Sequence, residues 1–123
     1  RVRLGGGRSL VQIQSPRPIF MTNMINIFYT TCGNIEDARK LTNIIVSEKE
    51  IICVNIIKNV ESFYKEDGKI ISSKEIILIV KTSLKKKCFE KLIKNHHPYD
   101  IPFITRLKND SVNTAYLEWA KKI

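Results

Sequence analysis

The pattern of apolar and polar positions after residue 24 predicts seven secondary-structure elements. Runs of β-branched and aromatic residues predict strands, and apolar residues that recur every three or four positions predict amphipathic helices. The predicted strands are Ile25–Thr31, Ile51–Ile57 continuing through Val60–Tyr64, Lys69–Thr82 and Phe103–Leu107. The predicted helices run from Asn34 to about Lys49, from Ser83 to His96, and from Asp110 or Ser111 onward.

The resulting order, βαββαβα, indicates the fold class. Two βαβ halves with right-handed crossovers form a four-stranded antiparallel sheet with two helices packed on one face. We therefore expect an α+β domain with a ferredoxin-like βαββαβ plait, an extra C-terminal helix and a long β-hairpin.

The predicted hairpin is longer than a domain of this size can cover. Asp67 and Gly68 supply the positive φ angles of its tight turn, and a returning strand of about 14 residues spans roughly 46 Å. The radius of gyration of such a domain is only about 13 Å, so the tip projects beyond the core. The apolar residues near the tip are Phe63, Tyr64, Ile70 and Ile71. Because monomeric proteins rarely expose such patches, we expect copies of this chain to cover them around a cyclic axis.

Length and composition exclude several classes of protein. The chain has 123 residues, 43% of them hydrophobic, which fits one domain. The longest apolar run, Ile76–Val80, is far shorter than the roughly 20 residues of a membrane helix, so we expect a soluble protein without a membrane partner. The formal net charge is +9. Most lysines occupy predicted helix surfaces without accompanying base-stacking aromatics, so we expect no nucleic-acid partner.

Residues 1–20 differ in composition from the rest of the chain. They contain four arginines, the glycine run Gly5–Gly7 and no acidic residue. We expect a disordered tail or tag here, followed by one domain over residues 21–123. The same composition also fits a transit peptide. The predicted location is therefore the cytoplasm, or an organelle if the tail is a targeting signal.

The three cysteines lie too far apart in sequence for a common site. Cys32, Cys53 and Cys88 form no CxxC pair, which indicates neither a disulfide framework nor a zinc site. We expect Cys53 and Cys88, which lie on apolar stretches, to be small core residues.

Several short segments resemble the CutA family of divalent-cation tolerance proteins. They are Lys81-Thr82, His96-His97-Pro98-Tyr99 with Pro102, and Asn113, Tyr116, Leu117 and Trp119. The resemblance extends from about Ile25 to the C-terminus. It implies a ferredoxin-like protomer in a tight homotrimer with extended hairpin arms, similar in build to PII signalling proteins, and an association with copper. Relatives in animals have been linked to acetylcholinesterase assembly.

Two positions depart from the family pattern. The cysteine that many bacterial members carry at the end of the first strand, where it is given as a copper ligand, is Thr30 here. Cys32 follows two residues later, on the same face if the strand continues. The family's tryptophan ahead of the hairpin turn is Glu66.

The resemblance implies one metal site and one cleft. His96, His97 and Cys32 are the candidate donors for copper or another divalent cation, although histidines at a helix end can instead bond to free carbonyls. Glu75, Lys81, Tyr99 and Trp119 are the candidates to line a cleft between subunits, although Tyr and Trp are also ordinary packing residues.

The function that we expect is copper binding and tolerance of metal ions by a homotrimer. The alternatives are a PII-like sensor of a small anionic metabolite and a protein-assembly module without a metal function. The sequence identifies no protein partner. We expect no enzymatic activity, because Cys32 and the histidines lack a recognisable Asp or Asn motif and the domain has no phosphate-binding glycine loop.

Overall fold

A computed structural model describes residues 24–123 of the chain. The predicted tail over residues 1–20 lies outside the described residues. The predicted order of elements is confirmed. The strands are β1 (Asn26–Cys32), β2 (Ile51–Glu66), β3 (Lys69–Thr82) and β4 (Ile104–Leu107), and the helices are α1 (Ile35–Val46), α2 (Lys86–His96) and α3 (Thr114–Ala120). Among these described helices, none combines the length and apolarity that crossing a membrane requires.

The four strands form one antiparallel sheet in the order β2-β3-β1-β4. β1 pairs on one side with the second half of β3, from Ile76 to Thr82, and on the other side with β4. The two halves of the chain are thereby interleaved in the centre of the sheet, as the ferredoxin-like prediction requires.

The core lies between one face of this sheet and the helices α1 and α2. Buried side chains alternate along β1 and along the second half of β3, so every second residue faces the helices. The rings of Phe28 from β1 and Phe89 from α2 stack with their centroids 4.2 Å apart. Burying each large apolar side chain contributes roughly 1.5–3 kcal/mol. The largest fully buried apolar side chains are Phe28, Phe89, Leu41, Ile45, Leu78, Ile93 and Val80.

Helix α1 begins where its cap was predicted and ends earlier. The side chain of Asn34 accepts a hydrogen bond of 2.8 Å from the backbone N–H of Asp37, which satisfies one free amide of the first turn. The predicted end near Lys49 is wrong, because the helix stops at Val46. The hydroxyl of Ser47 donates to the Ile44 carbonyl at 2.7 Å and occupies one of the terminal acceptors.

Helix α2 begins three residues later than the predicted cap at Ser83. Lys85 is the residue before the helix, and Ser83 is instead buried, with its backbone N–H donating to the Glu50 carbonyl. The buried residues of α2 are Phe89 and Ile93. The predicted core position of Cys88 is therefore wrong, since this thiol is exposed. Cys53 is half-buried on β2.

The remaining boundaries also shift by a few residues. β1 extends to Cys32, one residue beyond its predicted end, and β4 begins at Ile104, one residue after its predicted start. Helix α3 begins at Thr114 after Asn113, and not at Asp110 or Ser111. The segment between β4 and α3 is consequently a loop.

The hairpin of β2 and β3 extends well past the four-stranded sheet. Its residues Lys69–Glu75 pair with β2 alone, which makes a two-stranded arm of about 23 Å. Both Asp67 and Gly68 have positive φ at the turn, as predicted. Phe63 and Ile70 near the tip are 68% and 75% exposed. Tyr64 is also exposed, whereas Ile71, predicted to be exposed with them, is half-buried opposite Tyr64.

Candidate functional site

The structure brings two of the three predicted metal donors together. Cys32 is the last residue of β1, and His97 follows the end of α2, yet the Cys32 Sγ lies 3.9 Å from the His97 Nε2. Both side chains are buried. They meet because β1 and α2 end at the same side of the core.

Backbone groups hold the imidazole of His97 in one tautomer. Its Nε2 lies 2.7 Å from the carbonyl oxygen of Thr31, and its Nδ1 accepts a hydrogen bond of 3.0 Å from the backbone N–H of Tyr99. Since a carbonyl oxygen only accepts, Nε2 carries the proton. The ring therefore joins the end of β1 to the loop after α2. A bond to a backbone carbonyl was the predicted alternative to metal ligation, and His97 makes such a bond, with a strand carbonyl as the acceptor.

The environment of Cys32 keeps its thiol protonated at neutral pH. Burial, with a smaller contribution from the carboxylates of Asp37 and Glu75, raises the pKa of the thiol from 9.0 to about 11. A thiolate is the form that ligates metals and attacks electrophiles. A metal at this position would have to displace the thiol proton.

His96 lies apart from this pair. It is the last residue of α2 and is exposed, while His97 is buried. Among residues 24–123, no three His, Cys, Asp or Glu side chains lie close enough together to hold a metal ion. A closed zinc site needs four ligands, whereas thiolate and imidazole together suit Cu(I). Cys32 and His97 thus fit a two-donor copper site better than a closed site within one subunit.

Gly33 allows Tyr99 to lie against the end of β1. A Cβ atom added to Gly33 would be 2.8 Å from the Tyr99 hydroxyl oxygen, too close for any side chain without movement of the ring. The Tyr99 ring also contacts the His97 ring, with centroids 4.9 Å apart. Burial and the nearby Glu75 carboxylate raise the pKa of Tyr99. Tyr99 therefore covers the Cys32 and His97 pair.

The four predicted cleft residues divide into two groups within one subunit. Glu75 and Lys81 face the same side of β3 but are separated by about 20 Å of strand. Glu75 accepts a hydrogen bond of 2.6 Å from Ser62, and its carboxylate contributes to the raised pKa of Tyr99. Lys81 and Trp119 instead meet around a tyrosine that was not predicted as a site residue, Tyr116.

Tyr116 contacts both Lys81 and Trp119 at the end of the sheet that carries Lys81. The Lys81 Nζ lies 5.4 Å from the centroid of the Tyr116 ring, within the range of a cation–π contact, and the Trp119 ring centroid is 5.3 Å from it. Lys81 and Tyr116 line a cavity of about 280 Å³, with Asn113 among its other polar lining residues. The sequence signal for this group was the helical spacing of Tyr116 and Trp119, which predicts that they share a face.

The fold agrees with what comparison with known proteins shows. A family profile described as CutA1 divalent ion tolerance protein matches residues 26–123. The chain belongs to the CutA1 family. It is 40% identical over 98 residues to the divalent-cation tolerance protein CutA of Thermococcus kodakarensis, which is 79% of this chain and 93% of that protein.

Other CutA proteins, some of them longer than this chain, are similar to it over most of residues 24–123. The chain is 41% identical over 97 residues to the chloroplastic CutA protein of Arabidopsis thaliana, covering 77% of this chain and 53% of the plant protein. A crystal structure of CutA1 from Oryza sativa matches with a TM-score of 0.72 and 35% identity, over 81% of this chain and 94% of that chain. The predicted CutA membership and the predicted ferredoxin-like fold are both confirmed.

Proposed function

We propose that this CutA1 protein acts in tolerance of divalent metal ions and that it does so as a homotrimer. The projecting hairpin arm carries this proposal. Register pairs Phe63 with Ser72 and Lys65 with Ile70, so Phe63 and Ile70 share one face of the arm, while Tyr64 and Ile71 share the other. An arm with apolar residues on both faces requires a partner surface on both sides.

The sheet offers a second apolar surface to the same partner. The side chains of β1 and β3 that point away from α1 and α2 are half-buried, and they include Ile27, Tyr29, Ile77 and Ile79. A cyclic assembly of identical chains can bury both this face and the arm, so that one interface removes both apolar surfaces from water.

A growth assay tests the proposed role. We expect expression of the wild-type chain to raise the copper concentration tolerated by a bacterium that lacks its own CutA protein. The double change Phe63→Asp and Ile70→Asp should remove this protection, because a charged arm cannot be buried against another subunit. Val46→Asp, an exposed position at the end of α1, serves as the control. Equal growth with the wild type and with an empty vector would contradict the proposed role.

We further propose Cys32 and His97 as the copper donors, with exposed His96 as a weaker surface contact. The 3.9 Å separation of the thiol sulfur and the imidazole nitrogen supports this pair. The Cys32 thiol, whose pKa is raised to about 11, must release its proton to ligate, so the affinity should rise with pH across the neutral range. His97 also loses a contact if it ligates through Nε2, because this nitrogen bonds to the Thr31 carbonyl.

Competition titration with a Cu(I) chelator tests these donors. Cys32→Ser and His97→Ala should each weaken Cu(I) binding at least about tenfold, or about 1.4 kcal/mol. His96→Ala is the matched control and should retain most of the affinity. Circular dichroism confirms that the buried-site variants fold. Equal affinity in all four proteins would assign His97 a purely structural role and remove copper from this site.

Binding without catalysis is part of the proposal. A thiol with a pKa of about 11 is protonated at neutral pH and is a weak nucleophile, which speaks against a role for Cys32 in covalent chemistry. The cytoplasmic location stays a prediction. A sensor role for the cleft residues is the second candidate, supported by the cavity next to Lys81.

A further inference from the structure

A second cavity lies at the opposite end of β1 from the Cys32 and His97 pair and borders the cavity next to Lys81, with which it shares Ile25, Ser111 and Val112. It has a volume of about 260 Å³ and opens between the start of β1, the end of β4 and the loop before α3. Pockets for drug-sized ligands measure about 300–1,000 Å³. The cavity therefore fits a smaller molecule.

Arg106 supplies an oriented cation to this cavity. Its guanidinium donates a hydrogen bond of 3.3 Å to the side-chain oxygen of Asn26, which is buried. The amide nitrogen of Asn26 donates in turn to the Leu84 carbonyl at 2.9 Å, which fixes the direction of its oxygen. A guanidinium carries five N–H groups in a planar fork. Arg106 thus keeps donors for a bidentate contact with a carboxylate.

Asp110 brings the opposite charge to the same cavity. No ion pair joins Arg106 and Asp110, and the described part of the chain pairs neither with another charged residue. The neighbouring Asn109 is held in place by a hydrogen bond of 3.2 Å to the Ile25 carbonyl. Two opposite charges that line one cavity without contacting each other match a ligand that carries both charges.

The rest of the cavity wall is mixed, with the polar residues Asn26, Asn109 and Ser111 and an apolar part. Met24, Val112 and Leu117 line it together with the charged residues. A small zwitterion without an apolar part would leave this wall in contact with water, whereas an aliphatic side chain would cover it.

We propose that this cavity binds a free α-amino acid with an apolar side chain. The ligand's carboxylate pairs with Arg106, its ammonium group with Asp110, and its side chain packs against Met24, Val112 and Leu117. Inorganic phosphate is a poorer match, because its second negative charge is repelled by Asp110. The inference concerns residues outside the proposed copper pair and outside the arm, and it does not depend on the proposed function.

Isothermal titration of the full chain with L-leucine tests the ligand class. We expect saturable binding, and at least about tenfold weaker binding of N-acetyl-L-leucine, which lacks the ammonium group, and of L-leucine amide, which lacks the carboxylate. No saturable heat with leucine would overturn the proposal. Binding of phosphate in place of leucine would also overturn it, as would equal binding of leucine and its two blocked analogues.

Variants locate the binding in this cavity. Arg106→Gln and Asp110→Asn should each weaken leucine binding at least about tenfold, because each removes one charged partner. Lys108→Gln is the matched control, since Lys108 is an exposed cation two residues from Arg106 that does not line the cavity. It should change the affinity by less than about twofold. Both charged residues are exposed, and if Arg106→Gln fails to fold, the loop variant Asp110→Asn decides. Unchanged affinity in a folded charge variant overturns the assignment.

Discussion

Adjacent residues with the same chemistry occupy different environments in this protein, and His96 and His97 are the clearest case. His96 closes the last turn of α2 and is exposed, while His97 has extended backbone angles that direct its ring toward β1. The sequence predicted both as equivalent metal donors. A helix-ending proline motif indicates where the helix stops but not which imidazole enters the core. Only the packing of α2 against β1 distinguishes them.

The raised pKa of the Cys32 thiol has a measurable effect on the stability of the fold. Burial raises the pKa of its thiol from 9.0 to about 11, so the folded state holds the proton more tightly than the unfolded state. The contribution of the protonated Cys32 thiol to the free energy of unfolding is fully present below about pH 9 and is lost as the pH rises through about 11. We predict that Cys32→Ala makes the free energy of unfolding less dependent on pH in this window.

Urea unfolding in metal-free buffer at fixed protein concentration measures this dependence. Cys88→Ala is the matched control, because Cys88 is exposed and its removal should leave the wild-type dependence intact. If wild type and Cys32→Ala lose stability in parallel between about pH 9 and pH 11, the thiol does not titrate as described.

At the scale of the element, strands and their turn were predicted better than helix ends. The hairpin turn at Asp67 and Gly68 and the whole of β3 follow from local signals, namely a turn dipeptide and a stretch rich in β-branched residues. The start of α2 does not, because Ser83 has good capping chemistry but is buried against Glu50 in the folded chain. Tertiary contacts therefore decide where α2 begins.

The arm makes the sharpest prediction at this scale. Phe63→Asp and Ile70→Asp each place an unpaired charge in the proposed interface, which destabilises it by about 3 kcal/mol or more. That corresponds to more than about a hundredfold loss of association affinity. Sedimentation velocity over a range of concentrations should show dissociation or aggregation of both variants. Val46→Asp makes the same chemical change at an exposed helix end and should leave the assembly intact. An unchanged assembly in the arm variants would mean that the arm tip is free in solution.

For the whole molecule, the homotrimer stays a prediction, and the sequence did not locate the groups of site residues. The resemblance to CutA proteins implied a cleft with Glu75, Lys81, Tyr99 and Trp119, but one subunit divides these residues between two ends of the sheet. Strand spacing alone shows that Glu75 and Lys81 share a face, not which neighbours complete each group. Arg106 and Asp110 were also missed, since their proximity depends on the loop between β4 and α3.

In the proposed assembly, chains of this protein associate through the apolar arm and the open face of the sheet. Light scattering coupled to gel filtration measures it directly, because the mass is independent of molecular shape. We predict a single species with about three times the 14.2 kDa chain mass at micromolar concentration. A monodisperse species at the mass of one chain would contradict the account.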